Sequence, residues 1–157
     1  MIYCNNVKST NPYISKIQIH TSLRNNIHLF GEELKISFTI QCANPINGAC
    51  LSFQIINIEN RPINHQWIFD AEMPFGREAG QHILTCIIPK SKLYMGNYYI
   101  KVYFSEPPGG SFFETVEYAC PFQVEMLNNP RLFKYQEGAC AYIEDYYWII
   151  NNSRTFS

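Results

Sequence analysis

The sequence predicts an all-β protein, an antiparallel β-sandwich of about eight to nine short strands. Two observations support this fold class. Apolar and polar residues alternate with a period of two through most of the chain, and clusters of Gly, Pro and Asn interrupt the alternation at short intervals. No stretch shows the 3.6-residue periodicity of an amphipathic helix, so we expect little helix. We assign residues 1–157 to one domain, with its core at about 13–126 and a tail at 127–157.

The first two predicted strands are residues 13–20 and 32–42. In the first, Ile14 falls on the opposite face from Ile17 if the alternation is strict. The second reads as a half-buried strand, because one face is apolar and the other polar. Its apolar face carries Leu34, Ile36, Phe38 and Ile40, and its polar face carries Lys35, Ser37, Thr39 and Gln41. Those polar residues would enlarge a ligand-binding surface if their strand lay beside the strand that carries Tyr99, Lys101 and Tyr103.

The middle of the chain predicts strands at 49–59, 63–72 and 82–89, separated by turn and loop residues. In the strand at 63–72 the two faces compete for the core. One face holds the bulkier residues His65, Trp67 and Phe69, and the other holds Gln66 and Ile68. We expect the bulkier face to be buried, which would place Trp67 in the core. The alternative is that Trp67 and His65 face a ligand.

The stretch "LYMGNYYIKVYF" alternates most cleanly after its glycine. Tyr98, Ile100, Val102 and Phe104 form an apolar face, and the other face holds Tyr99, Lys101 and Tyr103. Gly-x-Tyr at the start of a late strand is typical of the tyrosine corner of immunoglobulin-like sandwiches. The position two residues later is Ile100 rather than cysteine, so the antibody-type disulfide is absent. The sequence therefore predicts an immunoglobulin-like sandwich, although Tyr98 could also be a large inward residue only.

The last predicted strands are residues 112–126, a long and bulged strand, and a stretch around 140–149. Pro107, Pro108 and two glycines form the turn before the first of them.

Composition and charge exclude several classes of function. The net charge of −1 and the pI near 6.4 leave no basic stripe, so we expect no nucleic-acid partner. There is no apolar run long enough for a transmembrane helix, and the N-terminus lacks the pattern of a secretory signal. The six cysteines, at 4, 42, 50, 86, 120 and 140, form no CxxC pair and lie mostly in apolar strand segments. We expect free thiols in a reducing compartment, so the chain is cytoplasmic unless a signal has been removed.

No motif for catalysis, a metal or a cofactor is present. The GxSxG, HExxH, GxxxxGK[ST] and GxGxxG patterns do not occur, and the four histidines have no partner at metal-ligand spacing. We therefore expect no enzyme activity, no metal and no cofactor. The remaining signal is the aromatic content, 15% of the chain.

Exposed aromatic rings beside polar groups suit a sugar ligand. An aromatic face stacks on the C–H bonds of a sugar ring, and neighbouring polar side chains bond its hydroxyls. Tyr99, Lys101 and Tyr103 are the first candidate binding residues, with Trp67 and His65 next. The plain alternative is cross-strand packing or an oligomer interface.

The order of these features resembles a known family. The shared pattern is a strand, then F-G-E-x-L-x-I-x-F, a strand of x-F-x-I type, and an I-P-x-x-x-L-x-x-G-x-Y corner, which together lie within about residues 14–125. In this chain the pattern is carried by Phe30, Gly31, Glu32, Leu34, Ile36, Phe38, Phe53, Ile55, Ile88, Pro89, Leu93, Gly96 and Tyr98. It is similar to the C-terminal carbohydrate-binding domain of Wzt-type ATP-binding subunits of ABC transporters that export O-antigen and related polysaccharides.

The resemblance implies a non-catalytic domain that recognises bacterial polysaccharide as export cargo. It implies transporter ATP-binding and membrane subunits as partners and a cytoplasmic location at the inner face of the inner membrane. It also implies a homodimer, of the kind that in some members of the family exchanges the C-terminal strand. The chain contains no Walker motif, so we expect an excised domain or a free-standing relative. Two alternatives stay open: an immunoglobulin-like protein-interaction or structural module, and an accessory carbohydrate-binding module of a secreted enzyme.

Overall fold

The protein is an all-β sandwich of two sheets. The structure is a computed structural model, and it describes residues 1–150. In that range there is no helix, and hence none with the length and apolarity that crossing a membrane requires. The strands are β1 (Ile2–Cys4), β2 (Tyr13–His20), β3 (Ile27–Leu29), β4 (Leu34–Cys42), β5 (Cys50–Asn57), β6 (Pro62–Phe69), β7 (Gly80–Ile88), β8 (Gly96–Ser105) and β9 (Phe112–Glu125).

The two sheets have the strand orders β1-β2-β4-β7 and β3-β9-β8-β5-β6. Every pair of neighbouring strands is antiparallel except β3 with β9, which is parallel. The inward faces of the two sheets form one apolar core, in which the rings of Phe38 and Phe53 lie 5.3 Å apart. The predicted all-β sandwich is confirmed.

Tyr98 forms the predicted tyrosine corner. Its ring is buried and packs 5.7 Å from the ring of Phe122. Its hydroxyl donates a hydrogen bond of 2.8 Å to the carbonyl of Tyr94, four residues upstream. Burial raises the pKa of Tyr98 to about 12, so the hydroxyl remains a donor at physiological pH. This bond fixes the entry of β8 into the five-stranded sheet.

A bulge in β2 corrects the strict alternation expected for residues 13–20. Ile14 and Ile17 are both fully buried, although their odd spacing predicts opposite faces. The register of β2 against β4 shifts between Ile14 and Lys16, and the extra residue returns Ile17 to the core.

Two short strands were not predicted, and one predicted strand is wrong. β1 and β3 have three residues each, too few for a recognisable alternation. The predicted strand at 140–149 is absent among the described residues, where only Tyr142 forms an isolated bridge, to Leu93. Two ion pairs hold this segment instead, Lys92 with Glu144 and Lys90 with Asp145, each at 2.6 Å. Residues 151–157 lie outside the described part of the chain. Exchange of the segment at 140–150 with a second copy of the chain stays a prediction.

His28 is a fully buried polar residue on β3. Its Nδ1 accepts a hydrogen bond from the backbone N–H of Ser22, at 3.2 Å, and its Nε2 lies 3.3 Å from the carbonyl of Glu32. Burial lowers the pKa of His28, although the Glu32 carbonyl bond opposes this. The neutral ring therefore ties together the segment between β2 and β4.

The six cysteines are free thiols. Cys42 and Cys120 are buried, and burial raises the pKa of both. Both are held as neutral, unreactive thiols that pack as small apolar side chains.

Candidate functional site

The outer face of the five-stranded sheet brings together all five residues predicted from the sequence. The register places Ser52 of β5 opposite both Trp67 of β6 and Tyr103 of β8. Two residues further along β5 on the same outward face, Gln54 lies opposite both His65 of β6 and Lys101 of β8. Every second side chain of a strand lies on the same face, so Tyr99, two residues before Lys101 on β8, lies on this outward face too. We call this surface the aromatic platform; its residues are His65, Trp67, Tyr99, Lys101, Tyr103 and Tyr118.

One half of the platform is built around His65. The His65 ring meets Trp67 edge to face at 5.3 Å and lies 6.3 Å from the ring of Tyr103. The ammonium of Lys101 stands 5.4 Å from the centre of the Tyr103 ring, a cation–π geometry. The Tyr103 hydroxyl donates to Oε1 of Gln54 at 3.4 Å. The rings therefore support one another, which fixes a surface without burying it.

The other half of the platform is a pair of tyrosines. The rings of Tyr99 and Tyr118 lie 4.8 Å apart, and the Tyr99 hydroxyl donates to Oδ1 of Asn60 at 2.6 Å. Burial and the neighbouring Tyr118 and Glu117 raise the pKa of Tyr99, so its hydroxyl is neutral at physiological pH.

Sequence reasoning missed Tyr118. It lies at a bulge of β9, with a positive φ of 54°, and its side chain is 63% exposed. The bulge puts Glu117 and Tyr118 on the outer side in succession, and Ala119 and Cys120 on the inner side in succession. Strict alternation would have put Tyr118 on the same face as Val116. The signal available in the sequence was that two polar residues, Glu117 and Tyr118, are followed by two small apolar ones, Ala119 and Cys120, which breaks the period of two.

The structure corrects the expected position of Trp67. Its side chain is 58% exposed on the platform rather than buried in the core. The weaker face of β6 turns inward instead, because Gln66 and Ile68 are paired with Phe53 and Leu51, which face the core. β6 is the edge strand of its sheet, so its inward face meets less of the core and tolerates a polar residue.

The polar row of β4 does not extend the platform, as the sequence had left open. β4 belongs to the four-stranded sheet, so its outward side chains lie on the opposite surface of the sandwich. There Ser37 and Thr85 bond to each other at 3.1 Å, and Gln41 donates to Gln81 at 3.1 Å. We call this surface the polar face.

The cation of the platform is paired. The Lys101 ammonium lies 2.6 Å from a carboxylate oxygen of Glu117, and this hydrogen bond raises the pKa of Lys101. Lys101 is therefore charged, but its charge is balanced within the surface. The platform offers hydrogen-bond donors and acceptors around aromatic rings rather than a net positive charge.

One end of the platform is a pocket of about 330 Å³. Its floor is formed by Ser52 and by the ring side of β6, including His65 and Trp67. The turn between β8 and β9, with Pro107 and Pro108, forms the opposite wall. The platform therefore combines an open row of rings with a shallow pocket at one end.

Within residues 1–150, no group of three or more His, Cys, Asp or Glu side chains could hold a metal ion. The chemistry that the platform itself carries is stacking and hydrogen bonding.

Comparisons with known proteins bear on the fold. No family model matches the sequence, and no curated protein matches it. Among solved structures the chain is similar to the C-terminal domain of Wzt, with a TM-score of 0.60 and 8% identity over 86% of this chain and 88% of that chain. It is also aligned with AlkC, an alkylpurine DNA glycosylase of Pseudomonas fluorescens, with a TM-score of 0.40 and 13% identity over 69% of this chain and 30% of that chain. The first likeness shows a shared fold; the second score is too low to support a conclusion.

Proposed function

We propose that the aromatic platform binds a bacterial polysaccharide without catalysis. The observation that carries this proposal is the convergence of the platform residues, from β6, β8 and β9, on one solvent-facing sheet. Exposed aromatic side chains indicate a ligand-binding surface, because each of them buries a large area when a ligand covers it. The surrounding Asn, Gln, Ser and Lys groups match the hydroxyls of a sugar.

The paired charges favour a neutral glycan. An acidic polysaccharide would gain little from Lys101 while Glu117 neutralises it at 2.6 Å. Each sugar ring buries little area on an open sheet, and its hydroxyls exchange water for protein at a small net gain. Weak affinity for a single site is therefore expected.

The biological role that fits best is cargo recognition for a polysaccharide-export ABC transporter. Two facts support it: the fold is shared with the C-terminal domain of Wzt, and the motif order resembles that family over most of the chain. In this role the domain would act in the cytoplasm at the inner membrane, with the ATP-binding and membrane subunits as partners. Two domains in a homodimer would raise the avidity for one polysaccharide chain.

The test is a screen of neutral and acidic bacterial polysaccharides, in which binding is measured through chemical-shift changes of the protein. The wild type is compared with Tyr103→Ala and Trp67→Ala, and with Gln41→Ala on the polar face as the matched control. We expect both platform variants to lose at least about tenfold in affinity and the control to bind like the wild type. Binding that survives both platform changes would move the site elsewhere, and no binding to any polysaccharide would overturn the proposal.

A second candidate is a protein-interaction module. The observation that favours it is the last described segment, where Tyr147 and Trp148 are both 84% exposed. Large apolar side chains in such a segment are common at protein interfaces. Sedimentation of the protein alone and with Trp148→Ser tests this reading: an assembly that depends on Trp148 supports it, whereas a monomer in both cases argues against it.

A further inference from the structure

β7 is an edge strand that lacks the features by which sheet edges are usually protected. An exposed edge presents unpaired N–H and C=O groups to other strands, and natural proteins keep such edges short, bulged, charged or interrupted by proline. Within residues 1–150 the two sheets end in four edge strands, β1 and β7, and β3 and β6. β1 and β3 have only three residues each, and β6 begins at Pro62 and has a register shift against β5 close to that end. β7 is therefore the exception among the four.

The strand β7 is long, regular and uncharged. All nine of its residues, Gly80–Ile88, pair with β4 without a register shift. None of the nine is Asp, Glu, Lys, Arg or Pro. None of them is buried either, and the outward residues Ile83 and Ile87 are 64% and 52% exposed. In the described part of the chain, this edge leaves both backbone groups and apolar side chains uncovered.

The sequence of β7 matches itself in the antiparallel direction. If two copies meet across a two-fold axis at Thr85, Ile83 of each copy lies opposite Ile87 of the other. On the other side of the strand, Leu84 lies opposite Cys86. Apolar residues thus meet apolar residues on both faces, and no like charges meet. This self-match identifies a second copy of the chain as the partner, since pairing with an unrelated strand does not require it.

Charged residues beyond the two ends of β7 favour the antiparallel arrangement. Glu78 precedes the strand and Lys90 follows it. Antiparallel pairing brings Glu78 of one copy to the end that carries Lys90 in the other, whereas parallel pairing would bring like charges together. Lys90 also pairs with Asp145 at 2.6 Å, and Arg77, beside Glu78, is bound to Asp70 at 2.7 Å.

We infer that a second copy of this chain binds at β7, by antiparallel pairing of the two β7 strands about a two-fold axis at Thr85. The two smaller sheets then form one continuous sheet, with four strands from each copy. This pairing uses no residue of the segment at 127–150, so it is distinct from an exchange of that segment.

The symmetry of this dimer has a consequence for the aromatic platform. The two-fold axis between antiparallel strands is perpendicular to their sheet, so both platforms lie on the same side of the dimer. One polysaccharide chain can then contact both platforms, which raises its avidity. This consequence rests on the proposed function, whereas the β7 interface does not.

The test is an exchange of charge at Thr85, with self-association of the full chain measured by sedimentation across a concentration series and without polysaccharide. Thr85 is exposed and faces its own copy at the axis, so Thr85→Lys and Thr85→Glu each place two like charges together. We expect the wild type to dimerise and each variant to associate at least about tenfold more weakly. An equimolar mixture of the two variants should recover the dimer, because lysine then faces glutamate.

Ser37→Lys is the matched control. It adds the same charge in the same outward row, but on β4, one strand in from the edge, so its self-association should equal that of the wild type. Amide exchange of the wild type gives a second measurement that needs no substitution. The backbone N–H groups of β7 should exchange more slowly as the concentration rises, because pairing covers the edge.

Three results would overturn the inference. They are a wild type that stays monomeric at every concentration, a dimer that persists in both Thr85 variants, and a dimer that only Trp148→Ser removes. The third would assign the interface to the last described segment. Loss of the dimer in both Thr85 variants without recovery in their mixture would contradict the axis at Thr85. Because no polysaccharide is present, each of these results is independent of whether the platform binds a glycan.

Discussion

The two outer surfaces of the sandwich share a strand pattern but differ in what they leave available. On the polar face, Ser37 pairs with Thr85 and Gln41 with Gln81 across neighbouring strands. On the platform, hydrogen bonds hold the hydroxyl groups of Tyr99 and Tyr103, while Trp67 remains 58% exposed.

This difference shows how an exposed sheet surface acquires a function. Small polar side chains can satisfy one another across strands, so the paired residues of the polar face need no partner, although Ile83 and Ile87 are exposed on the same face. Aromatic side chains can satisfy their polar tips in the same way, yet their apolar faces stay in contact with water. A surface of the second kind gains free energy when a ligand covers it, and a surface of the first kind does not.

The largest expected effect compares a buried ring with a platform ring. Phe53→Ala should lower the free energy of unfolding by about 3–5 kcal/mol, because Phe53 packs against Phe38 between the sheets. Trp67→Ala, which removes a still larger side chain, should lower it by less than about 1 kcal/mol. Urea denaturation of both variants measures the two values. A loss for Trp67→Ala as large as that for Phe53→Ala would mean that the platform is structural.

A smaller effect concerns the loss of stability at low pH, which we expect to depend on His28, on β3 of the five-stranded sheet. The pKa of His28 is lowered in the folded state, so its contribution to stability is complete above pH 6.5. It is lost as the pH falls from there toward the folded pKa, because the unfolded chain binds the proton first; each unit of lowering is worth about 1.4 kcal/mol.

Thermal unfolding across this pH range should therefore show a falling midpoint in the wild type. His28→Gln keeps a donor and an acceptor but does not titrate, so its profile should be flatter. Equal slopes for the two proteins would assign the acid sensitivity to other groups.

A still smaller effect tests the charge balance of the platform. Glu117→Gln removes the partner of Lys101, which lies 2.6 Å away, and leaves an unbalanced cation beside the rings. The affinity for an acidic polysaccharide should then rise by about two- to threefold at low salt, and this gain should disappear at high salt. Calorimetric titration with an acidic and a neutral polysaccharide measures the change. A rise for the neutral polysaccharide of the same size would exclude an electrostatic cause.

The smallest expected effect is on the polar face. Ser37→Ala removes its hydrogen bond to Thr85, and both groups are accessible to water. We expect stability to fall by no more than about 0.5 kcal/mol and polysaccharide binding to stay unchanged. A clear loss of binding would show that the ligand contacts this surface too, and the distinction between the two faces would fail.

The sequence predicted the fold class and most strands because alternation and turn residues are local signals. It placed Tyr99, Lys101 and Tyr103 on one side of β8, since that strand is regular and its apolar face is unambiguous. It could not decide the orientation of β6, where an edge position lets Gln66 face inward and Trp67 outward. Nor could it show that β4 lies in the other sheet, because strand order depends on long-range pairing that has no local signature.

The backbone at Tyr118 has a consequence for the evolution of this surface. A bulky residue with a φ of 54° is strained, and glycine would adopt the same conformation without cost. Selection for stability alone would therefore favour glycine at this position, and selection for the ring alone would favour tyrosine. The residue found at position 118 in homologous sequences should thus act as a marker, with an aromatic ring retained where the surface is used and drift toward glycine or asparagine where it is not.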